Sequence, residues 1–486
     1  MIASQAKLKR KSIDLTEGPI LGKMISFVLP LMATNLLQTL YNAADMMIVG
    51  LSSEQNAVGA IGMTGSFVGL IVNLFMGFAV GANIIIARYL GAKDEKNVSK
   101  TVHTSILMSF IVGLAATVIG IFISRPILSM MGAQGNLLDL ATTYTQIYFC
   151  GAPFLAATNY AAAIFRAKGD TKTPLYVLSL SGLVNVALNL FFVLGTGLSV
   201  EGVAVATAIS NLFAATALIW FLSRDDGPCR FSISKCRIDR RALIGIIREG
   251  LPAGIQSSVF SISNMIIQSS IISVNNSVVA SMGNVGNVEP VVNGNSAATN
   301  LESCLYTIIN SIYQATITFT SQNYGAGKLK RIWRIILVSN LFAISMGVLG
   351  SVSLYVFRDP LLALYGIRDG AVGSIEHVAY DAGVKRIIYV ILGYALLSVM
   401  DATSGIVKGL GQTNISTVNC LIGACVFRTV WIYTVFAAHP TLEIIFISYP
   451  ISWFITGAAQ LACAVIFLKK AIKRREAMLR DQLASV

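Results

Sequence analysis

The chain has 486 residues, of which 55% are hydrophobic and only 12% charged, and its mean hydropathy is +0.71. These values exclude an ordinary soluble domain and a disordered chain, leaving a protein that crosses a bilayer many times. The formal charge of +13 does not point to nucleic acid, because the Lys and Arg residues sort loop by loop into a topology pattern.

Residues 1–19 are basic but contain no apolar run leading to a small-residue cleavage site, so no removed signal peptide is expected. Apolar runs of about 20 residues, bounded by charged or Gly/Pro-rich breaks, predict twelve spanning helices. They lie at roughly 22–50, 57–87, 101–124, 138–165, 174–194, 201–223, 243–273, 296–323, 332–357, 380–407, 413–437 and 442–468.

The first of these carries Asn35, Gln38, Asn42 and Asp45 on one side, with Thr34 and Tyr41 beside them. A carboxylate inside a spanning helix is costly and normally faces a bundle interior or a watery cavity, which makes Asp45 a candidate functional residue. Pro30 removes a backbone donor in the same helix and predicts a bend there.

Basic residues alternate along the loops. One side collects Lys7, Lys9, Arg10, Lys11 and Lys23, then Arg88, Lys93, Lys96 and Lys100, then Arg166, Lys168 and Lys172. Residues 224–248, Lys328, Lys330, Arg331, Arg334, Lys408 and the tail from Lys469 to Arg480 continue that side. The other side holds Arg125, Arg358 and Arg368, with Lys385 and Arg386 placed awkwardly near the start of the tenth helix. This bias predicts that both termini face the cytoplasm across the cell membrane.

The longest connection on that side predicts a linker at 224–241, between an N-terminal lobe (1–223, helices 1–6) and a C-terminal lobe (242–486, helices 7–12). The halves repeat each other. Pro30 pairs with Pro252, Gly91 with Gly325, Pro126 with Pro360 and Gly169 with Gly411, in the same order along the chain. A duplication of two even-numbered halves predicts lobes of like orientation, related by a pseudo-two-fold axis along the membrane normal, with a ligand site near the midplane. Residues 275–300, rich in Asn and Gly, predict a long loop that is either mobile or re-entrant. The seven cysteines form no CxxC and read as reduced packing residues; the three histidines lie far apart. HExxH, a nucleophile elbow and a phosphate-cradling loop are all absent, so neither catalysis nor ATP hydrolysis is expected.

LPLMATNLLQTLYNAADMMIVG, ARYLGAKD, FRAKGDTKTP, SGLVNVALN and FTSQNYGAGK, in that order, resemble the multidrug and toxic compound extrusion (MATE) family of secondary transporters. The resemblance implies two six-helix lobes, alternating access, and export of cationic or amphipathic drugs and metabolites in exchange for H⁺ or Na⁺. It also implies that Asp45 takes part in cation coupling with Asn185 of the fifth helix and Thr207 of the sixth, and that Pro30 is a point of bending. Asn189 stands where some members carry a second carboxylate.

Independently of the family, Asn185 and Asn189 share one face of the fifth helix at i, i+4. With Asp45 and Thr207 they predict an all-oxygen site, in which one carboxylate among neutral ligands suits a monovalent ion. The residues alone leave Na⁺ and H⁺ open, and no other metal or cofactor is expected. In the second lobe Asn264 falls on Asn42, but Ile267 falls on Asp45; the acids there are Glu302 and Asp401. Each is a candidate for binding a cationic substrate or for a second protonation event, with a helix-start cap as the alternative for Glu302. Gln38, Tyr41, Asn42, Asn264, Tyr306, Asn310 and Tyr313 are further candidates for lining a substrate cleft. The expected function is an ion-coupled exporter in the lipid bilayer, acting as a monomer on small organic cations or amphipathic molecules. The alternatives are a flippase for lipid-linked precursors, which would want a basic interior where only Arg428 is evident, and an intramembrane enzyme.

Overall fold

The computed structural model describes residues 13–50, 54, 57–282 and 288–484. Lys7, Lys9, Arg10 and Lys11, and residues 283–287 of the expected loop, lie outside the described residues. In chain order the helices are α1 (Ile20–Val49), α2 (Ala57–Gly91), α3 (Glu95–Met130), α4 (Gly135–Cys150), α5 (Ala152–Lys168), α6 (Lys172–Leu190), α7 (Val200–Ser223) and α8 (Arg240–Met282). There follow α9 (Pro290–Gly325), α10 (Leu329–Val356), α11 (Arg358–Ala363), α12 (Ile375–Tyr389), α13 (Tyr394–Gly409), α14 (Thr413–Cys420), α15 (Phe427–Trp431) and α16 (Leu442–Ala484). The described residues contain no strand.

Twelve spans emerge from these segments. Ten are long and apolar enough to cross a membrane by themselves, counting α12 with α13 and α14 with α15 as continuous spans. An eleventh is the α4–α5 pair, bent by 49°. Pro153 lies in the first turn of α5 and has no N–H to continue the α4 ladder, so the helix breaks at Gly151. The twelfth is α9, which is 36 residues long but polar along much of its length.

The expected long loop at 275–300 is corrected by the structure: α8 runs to Met282 and α9 begins at Pro290. Proline suits a first helical position, and the buried Asn275 accepts a hydrogen bond from the Val291 N–H at 3.1 Å, satisfying one donor that a helix start leaves open. The Asn-rich stretch is therefore mostly helix.

The chain forms two compact units: Met1–Ser258 with Thr318–Lys328, and Val259–Ile317 with Leu329–Val486. In the first unit α2 crosses the beginning of α8 and the end of α9 on glycines. A Cβ on Gly77 would lie 2.1 Å from the Gly254 nitrogen, and one on Gly91 1.9 Å from the Gln322 carbonyl oxygen. Helices in lipid gain little from burying apolar surface, so small residues that let backbones touch supply the packing. Gly91 and Gly325, paired by the repeat, meet at this crossing: a Cβ on Gly325 would lie 1.9 Å from the Arg88 carbonyl oxygen. Residues 13–17 strap the same place, with Leu15 fully buried, its carbonyl taken by Asn323 (3.1 Å) and that of Thr16 by Lys328 (3.2 Å).

Residues 224–239 fold onto α3. The Ser232 N–H donates to His103 Nε2 (3.0 Å), and the Asp239 N–H to Thr104 Oγ1 (3.0 Å). The Asp239 carboxylate takes Lys100 Nζ at 2.9 Å and the N–H of Ala242 at 3.1 Å, capping α8. These donors, Lys100 foremost, hold its carboxyl below the ordinary value.

Candidate functional site

The four residues expected to form a cation site are brought together in the first unit. Gly182 of α6 makes this possible: a Cβ there would lie 1.8 Å from Tyr41 Cε2, so the Tyr41 ring lies directly on the α6 backbone. The Tyr41 hydroxyl donates to the Ser179 carbonyl at 3.1 Å. Asp45, one turn further along α1, then faces the α6 amides.

The hydrogen bonds run outward from Asn189, to Asp45 on one side and to Asn185 and Thr207 on the other. Thr207 Oγ1 donates to the Val203 carbonyl (2.9 Å) and accepts from Asn185 Nδ2 (3.4 Å). Asn185 Oδ1 accepts from Asn189 Nδ2 (3.3 Å), which also donates to Asp45 Oδ1 (2.5 Å). Both hydrogens of the Asn189 amide are thereby used. Its Oδ1, fully buried, has no hydrogen-bond partner. Asp45 itself is half-buried. The site thus combines a half-buried carboxylate with a neighbouring amide whose buried oxygen has no hydrogen-bond partner, and oxygen donors of this kind suit a small hard cation. A π-helical segment, Phe191–Gly195, starts two residues after Asn189; such segments break the regular ladder and recur at functional sites. Tyr144 of α4 packs against the apolar cluster that includes Ile48 and Val49 of α1, a neighbourhood that nothing in the sequence reports.

The remaining candidates of this unit divide. Gln38 and Asn42 are exposed on α1, whereas Tyr41 is a packing contact with α6. Helix α1 runs unbroken through Pro30, whose carbonyl accepts from Thr34 Oγ1 at 2.7 Å.

In the second unit Asn264 and Tyr306 are exposed, while Asn310, Tyr313 and Asp401 are half-buried. Glu302 does not cap a helix, because α9 begins twelve residues earlier, at Pro290. Instead Arg386 of α12 grips it, with Nε 2.8 Å and Nη2 2.7 Å from Oε2. Tyr394 donates to Oε1 at 3.0 Å, and Arg386 Nη1 donates to Asn295 Oδ1 at 2.8 Å. Both partners are nearly buried, with side-chain exposures of 12% and 7%.

Arg386 is therefore a core residue; its awkward place in the charge count was the signal. Lys408, assigned above to a loop, is also corrected. It is 1% exposed and donates to the Tyr313 hydroxyl at 2.9 Å. Arg428 is buried too, with Nε on Ser452 Oγ (2.9 Å) and its guanidinium 4.1 Å from the centre of the Tyr449 ring. The interior of this unit is more basic than Arg428 alone suggested.

Among the described residues, no three His, Cys, Asp or Glu side chains are grouped as a metal would need.

The sequence model of the MatE family matches residues 30–191 and 252–434, two stretches that begin on the repeat-related prolines. The probable multidrug resistance protein YoeA of Bacillus subtilis is 27% identical over 349 residues, 70% of this chain and 73% of that protein. The multidrug export protein MepA of Staphylococcus saprophyticus is 26% identical over 394 residues, 80% and 82% of the two chains. The fold is similar to that of a multidrug resistance MATE family transporter of the MOP superfamily, solved in an outward-facing conformation. The TM-score is 0.84 at 21% identity, over 95% of this chain and 99% of the other.

Proposed function

This chain belongs to the MatE family of multidrug and toxic compound extrusion transporters, and from that membership and the geometry of its first unit we propose that it is an antiporter. It exports cationic or amphipathic molecules in exchange for H⁺ or Na⁺. The observation that carries the proposal is the Asp45–Asn189 pair, a lone carboxylate whose neighbouring amide keeps a buried oxygen unengaged. Loading a cation or proton there neutralises a charge that is costly in an apolar surround, and releasing it restores that charge. Occupancy of the site and the conformation of the helices around it are then coupled, as alternating access requires. Asn185 and Thr207 orient the pair. The protein works as a monomer in the cytoplasmic membrane with both termini inside, a topology supported by the distribution of basic residues.

Everted or reconstituted vesicles with pH and Na⁺ gradients imposed separately test this. Wild-type protein exports ethidium under one of the two gradients, and Asp45→Asn, recovered in the membrane at normal level, does not. Undiminished export by the variant refutes the role of Asp45.

A second reading, movement of an anionic lipid-linked precursor, is favoured by one observation. Arg386, Lys408 and Arg428 are all buried in the second unit, three cations of which Arg386 is ion-paired to Glu302. It requires that such a precursor compete with ethidium in the same vesicles.

A further inference from the structure

The segment 224–239 rests on α3 at two adjacent residues, His103 and Thr104, and the first of these is titratable. His103 is 2% exposed, and both of its ring nitrogens are engaged. Nδ1 lies 2.7 Å from the Ser99 carbonyl oxygen; a carbonyl can only accept, so Nδ1 carries the hydrogen. Nε2 lies 3.0 Å from the Ser232 backbone nitrogen; an N–H can only donate, so Nε2 presents its lone pair. The two partners together admit the neutral ring and no other form. The Phe231 ring stacks on the imidazole, with centroids 5.3 Å apart and planes at 26°, and is buried in the cluster that holds Val102, Ile106 and Leu222. Ser232 and Phe231 are thus seated by the same side chain.

The other titratable groups around this seat keep their charge near neutral pH. Lys100 of α3 is paired with Asp239 of the segment, and Lys168 of α5 with Asp225. Arg224, Asp226, Arg230, Lys235 and Arg237 are exposed. Burial pushes the Cys229 thiol up to about 12 and the Cys236 thiol above its ordinary value, whereas Asp239 is held below its own. An imidazole is the one side chain of these types whose charge ordinarily changes between about pH 7.5 and 5.

We propose that His103 is a pH-operated latch for the segment that joins the two halves of the sequence: neutral, it seats the segment on α3; protonated, it releases Ser232 and Phe231 together. The proton comes from water and goes to Nε2, where it points at the Ser232 hydrogen, so the hydrogen bond that holds the segment cannot coexist with it. The new cation also stands one helical turn from Lys100. Asp239, which loses its charge only at more acid pH, keeps α8 capped while the rest of the segment is released. That the segment faces the cytoplasm rests on the topology proposed above, and acidification of that side is then the signal; the latch itself does not depend on that reading.

The test is hydrogen exchange of the purified full-length protein between about pH 7.5 and 5, with protection taken relative to the intrinsic rate at each pH. Protection of the peptide containing Phe231 and Ser232 is expected to fall about tenfold over that range in wild type, the effect of one net hydrogen bond. Its midpoint is expected to coincide with the titration of His103 itself, read in parallel samples from deuterium uptake at the ring carbon between the two nitrogens. His103→Gln, whose amide oxygen accepts the Ser232 N–H and takes up no proton in this range, is expected to keep the protection and lose its pH dependence. Should that variant fail to seat the segment at neutral pH, the two wild-type midpoints decide alone. Flat protection in wild type, a fall at a pH where His103 does not titrate, or a seated Gln variant with the full pH dependence overturns the proposal. No gradient or transported molecule is used, so failure of the latch and failure of the antiport reading give different results.

Discussion

Removing Arg386 is expected to destabilise the second unit strongly, and removing Glu302 along with it to restore most of the loss. The guanidinium makes two contacts with Glu302 Oε2, at 2.7 and 2.8 Å, and one with Asn295 Oδ1 at 2.8 Å. Arg386→Met leaves the carboxylate with Tyr394 alone, 12% exposed and uncompensated. Breaking a buried pair from one side costs about 3–5 kcal/mol. Arg386→Met with Glu302→Gln removes both charges and keeps the Tyr394 contact, and replacing a buried pair with uncharged residues is often close to neutral. The double variant should therefore lie within about 1 kcal/mol of wild type, recovering about 2–4 kcal/mol of what the Arg386→Met single variant loses. Thermal unfolding of purified protein, followed by loss of the monodisperse peak, measures all four corners. A single variant as stable as wild type, or a double variant as unstable as the single one, refutes the idea that charge compensation holds α9 to α12.

Asn189→Leu removes an amide that donates to Asp45, a charge-assisted bond worth about 1.5–3 kcal/mol; vesicle efflux is expected to fall at least tenfold while expression holds. Gly182→Ala pushes the Tyr41 ring off α6 and should also abolish efflux. Tyr41→Ala in the same chain should recover part of it, and absence of any recovery would show that the clash is elsewhere. Gly91→Leu places carbon 1.9 Å from a backbone oxygen that cannot give way, so little folded protein is expected by size-exclusion chromatography. The Asp239 carboxyl is held below its ordinary value of 3.8, so its contribution is complete above that pH and lost as pH falls through the lower, folded value. Protection of residues 224–239 against hydrogen exchange, taken relative to the intrinsic rate at each pH, should accordingly fall at acid pH in wild type, and Asp239→Asn should remove that dependence.

Helix number, the duplication and the Asp45 face were legible in the sequence for a physical reason. A bilayer demands long apolar runs, a repeat preserves order, and helical spacing alone decides which side chains share a face. The i, i+4 pairing of Asn185 and Asn189 was visible in the same way. The helical nature of residues 275–282 and 290–300 was not, since Asn and Gly suggest a turn until Asn275 is seen satisfying the next helix. Nor could spacing reveal that Arg386 belongs with Glu302, 84 residues away, or that Lys408 leaves the loop pattern for Tyr313. Charge counting assigns a cation to water by default, and only a partner on another helix reverses that assignment.

By itself, then, the sequence determined a duplicated chain of twelve spans with one acid on the polar face of the first. The tertiary structure decided which polar atoms are satisfied. Asp45 meets Asn189, Glu302 is claimed by Arg386, and the Tyr160 hydroxyl and Asn189 Oδ1 are left without partners. The division follows from range: periodicity is a local property of the chain, whereas satisfaction of a buried polar group depends on helices brought together from distant parts of it.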